Sequence, residues 1–302
     1  MDRRIKFRHL DAFSAIARAR SFKAAAQQLN LTQPAISKTL KELEDILGVV
    51  MMERSRAGVT LTPEGEIFLQ FAEQSTAALR HGLRSIRATG SAAGQLKVGA
   101  LPSVASSLLP QAALAFAGQS PDTLLEIHEG AHHDLTTRLR SGNLDLVVGR
   151  LGKPETMVGL SFQQLYSEDV VIVARADSDA IQVRDFAGIA GFRVLYPPKD
   201  SAIRPLVARL LIAQGVPLFR NRIETASSAF GRAVLLADPQ TVWIISRGVV
   251  AGDIDQGRLA TLEIDMAATR GAVGIMSRAE ELPSVATRVF SKLLNELCQP
   301  PT

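Results

Sequence analysis

The chain has 302 residues, enough for about two domains, and its 46% hydrophobic and 21% charged content suits packed cores and excludes a disordered or fibrous class. The formal net charge is +4, and it is uneven: residues 1–89 hold 14 Lys/Arg against 9 Asp/Glu, while the remainder holds 20 against 21. A basic head on a near-neutral body suits a nucleic-acid reader with a separate control module, although a basic surface can also be merely solubilising. The opening residues show no apolar h-region, the chain has no 18-residue apolar run, and the single Cys298 cannot form an internal disulfide. A cytoplasmic protein without a secretory signal or membrane span is the expectation.

In chain order, the periodicity predicts a helix over 7–18, with Leu10, Phe13, Ile16 and Ala17 on its apolar stripe. Residues 21–38 read as two short helices joined by a tight turn. Ser21 is placed to cap the first, whose face carries Phe22, Ala25, Ala26 and Leu29. Asn30 and Leu31 break the pattern. Thr32 caps the second, and Pro34 falls in its first turn, where a missing N–H costs nothing. Ile36, Leu40, Leu43 and Leu47 form its apolar stripe, Ile46 lies beside it, and Gly48 ends it. Gln33, Ser37, Lys38 and Lys41 project from the opposite face. Gln can bond an adenine edge, Lys reaches guanine or phosphate, and Ser adapts to either, so this end of the helix suits a DNA major groove. An ordinary solvated helix pair is the plain alternative.

Residues 49–62 alternate weakly around Ala57-Gly58 and predict a two-stranded wing with Arg54 and Arg56 near its tip, placed for a minor groove or phosphate or simply solvated. Thr62-Pro63-Glu64 starts a long helix running to about Arg87, roughly 37 Å at about 1.5 Å per residue. Phe68, Phe71, Ser75, Leu79, Leu83 and Ile86 make a seam that a small domain cannot bury, which predicts pairing with a second copy. Residues 90–94 read as a flexible hinge.

From Gln95 the pattern becomes α/β. Strands are expected at 96–100, 124–128, 144–149, 169–175, 193–196, 222–225, 241–246 and 272–277, with helices between them and a final helix over 283–297. The third of these is apolar on both faces and is read as central and parallel. In open α/β sheets ligands bind beyond the carboxyl ends of strands. That rule selects the loops 101–105 (Pro102, Ser103, Val104), 149–151 (Arg150), 197–201 (Pro198, Lys199, Ser201) and 225–228 (Thr225, Ser227, Ser228). Their hydroxyls, the helix N-termini that follow, and the charges of Arg150, Lys199 and Arg204 suit a small carboxylate. The bland alternative is that the Ser and Thr residues are caps. Tyr196 and Trp243 are read as core.

The first 65 residues resemble the winged helix-turn-helix of LysR-type transcriptional regulators. The matching residues are Phe7 to Phe13, Ser21-Phe22, Ala24 to Ala26, Leu29, Thr32 to Ser37, Leu43-Glu44, Leu47-Gly48, Arg54 and Leu61 to Gly65. The later α/β pattern resembles the family's effector domain, a two-lobed fold like that of periplasmic solute-binding proteins. The implied fold class is α+β in two parts: a winged helix-turn-helix over 1–62 and a linker helix and hinge over 63–94 precede an α/β effector domain over 95–302. By the same likeness one lobe takes about 95–165 and 269–302, and the other 166–268. The resemblance implies a bacterial transcriptional regulator, an activator or a repressor, dimeric or tetrameric, that binds promoter DNA and a small effector and contacts RNA polymerase. It implies neither catalysis, cofactor nor metal. Candidate DNA contacts are Ser21, Thr32, Gln33, Pro34, Ser37, Lys38, Lys41, Arg54 and Arg56. Residues 2–10 and Ile223 to Ser227 resemble the PcaQ-like and GbpR-like branch, which regulates protocatechuate catabolism and a galactose-binding protein. That branch implies an acid from aromatic breakdown, or a sugar-derived ligand, and a catabolic or transport operon.

Two other readings stand beside this one. His128-Glu129-Gly130-Ala131-His132 fits the H-E-x-x-H pattern of zinc peptidases. That chemistry needs both histidines one turn apart on one helix, and here the motif starts on a strand-like run and is interrupted by Gly130. The other rival is a transport receptor that binds solute without DNA, against which the basic head counts.

Overall fold

The computed structural model describes residues 4–55, 58–88, 94–279 and 281–299, with side chains of the long helix described except at 80, 81 and 84–88. They form two compact units.

The first unit opens with α1 (Phe7–Ala19), α2 (Phe22–Gln28) and α3 (Gln33–Leu47). The caps follow the sequence: Ser21 accepts from the Ala24 amide (3.3 Å), Thr32 from the Ala35 amide (3.4 Å), and Gly48 closes α3 at φ 71°. Asn30 takes φ 54°, the left-handed turn that separates α2 from α3. Phe13, Ile16, Ala25, Ile36 and Leu43 are fully buried in one core. The wing is β1 (Met52–Ser55) paired antiparallel with β2 (Gly58–Leu61). Of the expected turn at Ala57-Gly58, Gly58 opens β2, while Ala57 lies outside the described residues, as does Arg56. Glu44 ties the wing to α3 by accepting from the Met51 (2.8 Å) and Met52 (3.3 Å) amides.

The long helix α4 (Pro63–Ala88) begins where Thr62 accepts from the Gly65 amide at 3.1 Å. The expected seam divides in two. Phe68 turns to the head and meets Phe13 edge-to-face, with ring centroids 5.3 Å apart. Phe71, Ser75, Leu79 and Leu83 are exposed, and the side chain of Ile86 lies outside the described residues. Of the expected hinge over 90–94, residues 90–93 also lie outside them and Gly94 opens the next strand.

The second unit is α/β. Its elements in order are β3 (Gly94–Ala100), α5 (Pro102–Ser106), α6 (Leu108–Gln119), β4 (Thr123–Glu129), α7 (His132–Arg140), β5 (Leu146–Arg150), β6 (Leu160–Glu168), β7 (Val170–Arg175), α8 (Phe186–Ile189), β8 (Arg193–Tyr196), α9 (Arg204–Ala213), β9 (Arg222–Glu224), α10 (Ser228–Ala237), β10 (Thr241–Ser246), α11 (Arg247–Asp255), β11 (Leu259–Thr261), β12 (Gly271–Arg278) and α12 (Val285–Cys298). They build two five-stranded sheets, ordered β4-β3-β5-β12-β6 and β11-β7-β10-β8-β9. As its unbroken apolar run implies, β5 is fully buried and central, parallel to β3 on one side; its other neighbour, β12, is antiparallel. Two strands have no counterpart among the expected ones. β6 has few buried positions and so no clear apolar pattern, and β11 has only three residues.

The chain crosses between the sheets twice, from β6 through Asp169 into β7, and from β11 back to β12 just after Thr269. The crossings are bonded to each other: the Val170 amide donates to Thr269 Oγ1 at 3.1 Å. Tyr196 and Trp243 are both 1% exposed, one on each side of the second sheet, as their strand positions imply.

Candidate functional site

The candidate nucleic-acid face is the first half of α3. Packing sorts its residues: Ile36, Leu40 and Leu43 point into the core, which forces Gln33, Pro34, Lys38 and Lys41 into solvent. The helix is anchored to α1 by Glu42, which accepts from Arg8 (2.9 Å) and faces His9 Nε2 (3.4 Å). The Lys6 amide donates to His9 Nδ1 (3.1 Å), so the ring proton sits on Nε2. The Arg8 bond, with His9 and the charge of Lys38 assisting, holds the Glu42 carboxyl below its usual range despite some desolvation.

Three expected contacts play other parts. Ser21 and Thr32 use their oxygens as caps. Arg54 does not reach out from the wing: its guanidinium lies 3.9 Å over the Phe22 ring and donates to Ser37 Oγ at 2.8 Å. The cation–π contact and the hydrogen bond draw it back onto the helix pair, so Arg54 positions Ser37. Gln33→Ala is expected to cost about 1–3 kcal/mol of discrimination at one base position. Selection of binding sites from random DNA by both proteins checks this, and an unchanged base preference would place Gln33 outside the groove.

The second site is a cavity of about 220 Å3 between the two sheets. Its first-sheet wall comes from Leu101, Pro102 and Ser103 after β3, residues 129–132 after β4, and Arg150 at the end of β5. Its second-sheet wall comes from Pro197 and 200–203 after β8, Thr225 and Ala226 after β9, and Ile245, Ser246 and Val249 around the end of β10. Strand ends converge here because parallel neighbours deliver their carboxyl ends to one edge.

Of the expected ligand residues, Pro102, Ser103, Arg150, Ser201 and Thr225 line the cavity; Val104, Pro198, Lys199 and Ser227 do not. Val104 is fully buried in the first-sheet core, on the inward side of the short helix α5. Lys199 and Ser227 are exposed, and Ser227 caps α10 by accepting from the Phe230 amide at 3.2 Å. Arg204 is also committed elsewhere: it stacks 4.5 Å over Tyr196, donates to the Pro197 carbonyl (2.6 Å) and pairs with Glu224 (3.2 Å).

Arg150 is not a free cation either. It is 3% exposed, donates to the carbonyls of Glu168 (2.9 Å) and Thr269 (3.2 Å), and stands 3.6 Å from the Glu168 carboxylate. Burial pushes Glu168 up; the Gly248 amide (2.8 Å), Arg150, Ser103 and Ser246 oppose that shift. Two of the cavity's four hydroxyls, Ser103 and Ser246, thus lie close enough to Glu168 to favour its charged form. The other two face differently. Ser201 Oγ accepts from the Ile203 amide (3.4 Å) and Thr225 Oγ1 from the Ser227 amide (3.1 Å), which leaves each O–H free to donate to an occupant. No Phe, Tyr or Trp lines the cavity among the described residues; the one ring on its wall is the His132 imidazole.

Sequence reasoning misses Glu129 to His132, Asp200, Ser246 and Glu168. The strand-end rule that finds Ser103 and Thr225 applies equally to Ser246 and to the segment after β4, which the sequence presents first as a zinc motif. In the structure His128 and Glu129 lie on β4 and His132 opens α7, so the two histidines are not one turn apart on a helix. Among the described residues no group of three or more His, Cys, Asp or Glu could hold a metal ion.

Comparison with known proteins matches residues 7–66 to the bacterial regulatory helix-turn-helix protein, lysR family, and residues 89–299 to the LysR substrate binding domain. The chain is 42% identical over 299 residues to the HTH-type transcriptional regulator PcaQ of Agrobacterium fabrum, covering 98% of this chain and 96% of that protein. It is 28% identical over 252 residues to the HTH-type transcriptional regulator GbpR of Azospirillum brasilense, covering 82% and 73%. In fold it is similar to a full-length OxyR variant from Pseudomonas aeruginosa, with TM-score 0.64 at 24% identity over 96% of this chain and 94% of the other. It is likewise similar to full-length CbnR complexed with its target DNA, with TM-score 0.52 at 24% identity over 98% and 100%. An exposed recognition helix on a winged head, a two-sheet unit with a cavity at its strand ends, and family matches over both parts place this chain in the LysR family of DNA-binding, non-enzymatic transcriptional regulators.

Proposed function

We propose that this regulator controls a catabolic or transport operon in the cytoplasm, and that a small carboxylate-bearing effector in the two-sheet cavity sets its activity. The observation that carries the reading is the pair of free hydroxyl donors, Ser201 and Thr225, on the second-sheet wall, with apolar Leu101 and Pro102 on the first-sheet wall. That arrangement seats an anionic end against donors and a hydrocarbon end against apolar carbons. A sugar-derived effector is less suited, because a polyol needs polar partners all round and finds no Phe, Tyr or Trp face here.

The working division is a DNA-binding head over 1–62, a linker over 63–94 and an effector domain over 95–302, with the lobes changing at Glu168 to Val170. The exposed side chains of Phe71, Leu79 and Leu83 on α4 support dimerisation through that helix, and a tetramer would pair two such dimers. Gln33, Pro34, Ser37, Lys38 and Lys41 then face base edges and backbone in successive half-sites. As an activator bound to promoter DNA, the protein would meet RNA polymerase there.

The test is thermal unfolding of the full chain against a panel of small mono- and dicarboxylates and neutral sugars. At least one carboxylate is expected to raise the Tm, and the Ser201→Ala, Thr225→Ala double variant is expected to abolish the rise while keeping DNA affinity. A rise that survives in the double variant, or one produced only by a neutral sugar, overturns the assignment.

A further inference from the structure

The cavity wall and the two chain crossings between the sheets are built on one polar cluster. Arg150 ends β5 and lines the cavity. Its guanidinium donates to the carbonyl of Glu168 on one crossing and to that of Thr269 on the other. Glu168 does not line the cavity. Its Oε1 instead accepts from the amide of Gly248, the second residue of α11 in the other lobe. Ser103 and Ser246, one from each lobe, bear on the same carboxylate and favour its charged form. The cluster is also imperfect. Arg150 and the Glu168 carboxylate approach only to 3.6 Å, and Arg150 Nε and Glu168 Oε2 are both buried without a hydrogen-bond partner. Two buried opposite charges that attract without closing a hydrogen bond form an arrangement that can be tightened or released.

Gly248 makes the joint possible. A Cβ there would lie 2.6 Å from Glu168 Oε1 and 2.7 Å from the Ser103 carbonyl oxygen. The carbonyl is backbone, so it cannot swing aside, and only glycine lets α11 of one lobe approach α5 of the other this closely.

We infer that Glu168 is a positioning residue that holds Arg150 in the cavity wall and latches the two lobes through the Gly248 amide, so that a cavity occupant touching Arg150 acts on both crossings at once. This rests on the reading of the cavity as the effector site, and it adds where the occupant's contact becomes lobe movement. A ligand shifts an equilibrium only through unequal interaction with the two states, and the cluster supplies that inequality because Arg150 belongs both to the cavity wall and to the crossings.

The test needs no ligand. Full-length wild-type protein, Glu168→Gln and Gly248→Ala are compared by hydrogen exchange and by the bend each imposes on a promoter fragment selected by the wild-type protein. The neutral amide side chain of Glu168→Gln can still accept from the Gly248 amide but cannot form an ion pair with Arg150. Exchange across residues 166–171 and 267–272 is expected to rise about tenfold more in Glu168→Gln than exchange in the sheet interiors. Both variants are expected to alter the DNA bend while half-site affinity stays within about twofold. Faster exchange spread evenly over both sheets would mean a merely structural residue and overturn the inference. So would unchanged exchange at the crossings, or an unchanged bend in both variants. A cavity that binds nothing would appear in the Ser201, Thr225 experiment and leave these readouts untouched, so the two failures are distinguishable.

Discussion

Arg150→Ala is expected to lower the stability of the two-sheet unit by about 3–5 kcal/mol, because it removes one partner of a buried pair and leaves the other. The variant loses the bonds to both crossing carbonyls, at 2.9 and 3.2 Å, and strands the Glu168 carboxylate, which is 6% exposed, without its nearest opposite charge. Trp243 is the sole tryptophan and is buried in the second sheet, so its fluorescence reports on this unit alone. The urea midpoint followed at Trp243 should fall by about 1–2 M for a unit of this size. Replacing both partners, as Arg150→Met with Glu168→Gln, should recover most of the loss, since well-packed neutral groups of similar volume often match a buried ion pair. A double variant as unstable as the single one would show that the carbonyl bonds, and not the charge pair, dominate.

Phe13→Ala should produce the opposite dissociation. Phe13 is fully buried at the centre of the head, where α1 packs on α2 and α3, and its ring meets Phe68 of α4 edge-to-face. Truncating a buried Phe costs about 3–5 kcal/mol in lost burial and cavity formation. At roughly 0.05–0.15 kcal/mol per residue a head this small sits at the low end of the usual stability range, so the loss should leave it largely unfolded near body temperature. DNA binding should then collapse while the Trp243 transition stays where it was. A gel-shift titration beside the fluorescence melt reads both. If the Trp243 midpoint moved along with DNA binding, the two units would not unfold independently.

The head is legible in the sequence because its signals are local. Capping at Ser21 and Thr32, Pro34 in a first turn, Gly48 at a helix end and a 3.6-residue apolar stripe each depend on residues a few positions apart. The strands of the second unit are legible where the core demands apolar side chains, as in β5 and β10, and escape notice in β6 and β11, where burial is partial or the strand short. The strand-end rule then reaches Ser103, Arg150, Ser201 and Thr225, since the position of a loop along an α/β chain implies which edge of the sheet it joins.

The amino-acid sequence by itself determined the family, the head with its exposed Gln33 and Lys38, and the order of the α/β elements, because periodicity, caps and turns act over a few residues. Only the tertiary structure decided which polar groups were already committed. Arg54 folds back onto Phe22 and Ser37, Arg204 onto Tyr196 and Glu224, and Arg150 onto Glu168 and Thr269, across separations of 17 to 119 residues for the hydrogen-bonded pairs Arg54 to Ser37 and Arg150 to Thr269. A charge finds its partner in space, and burial makes that pairing obligatory because an isolated ion in a low-dielectric interior is too costly to keep.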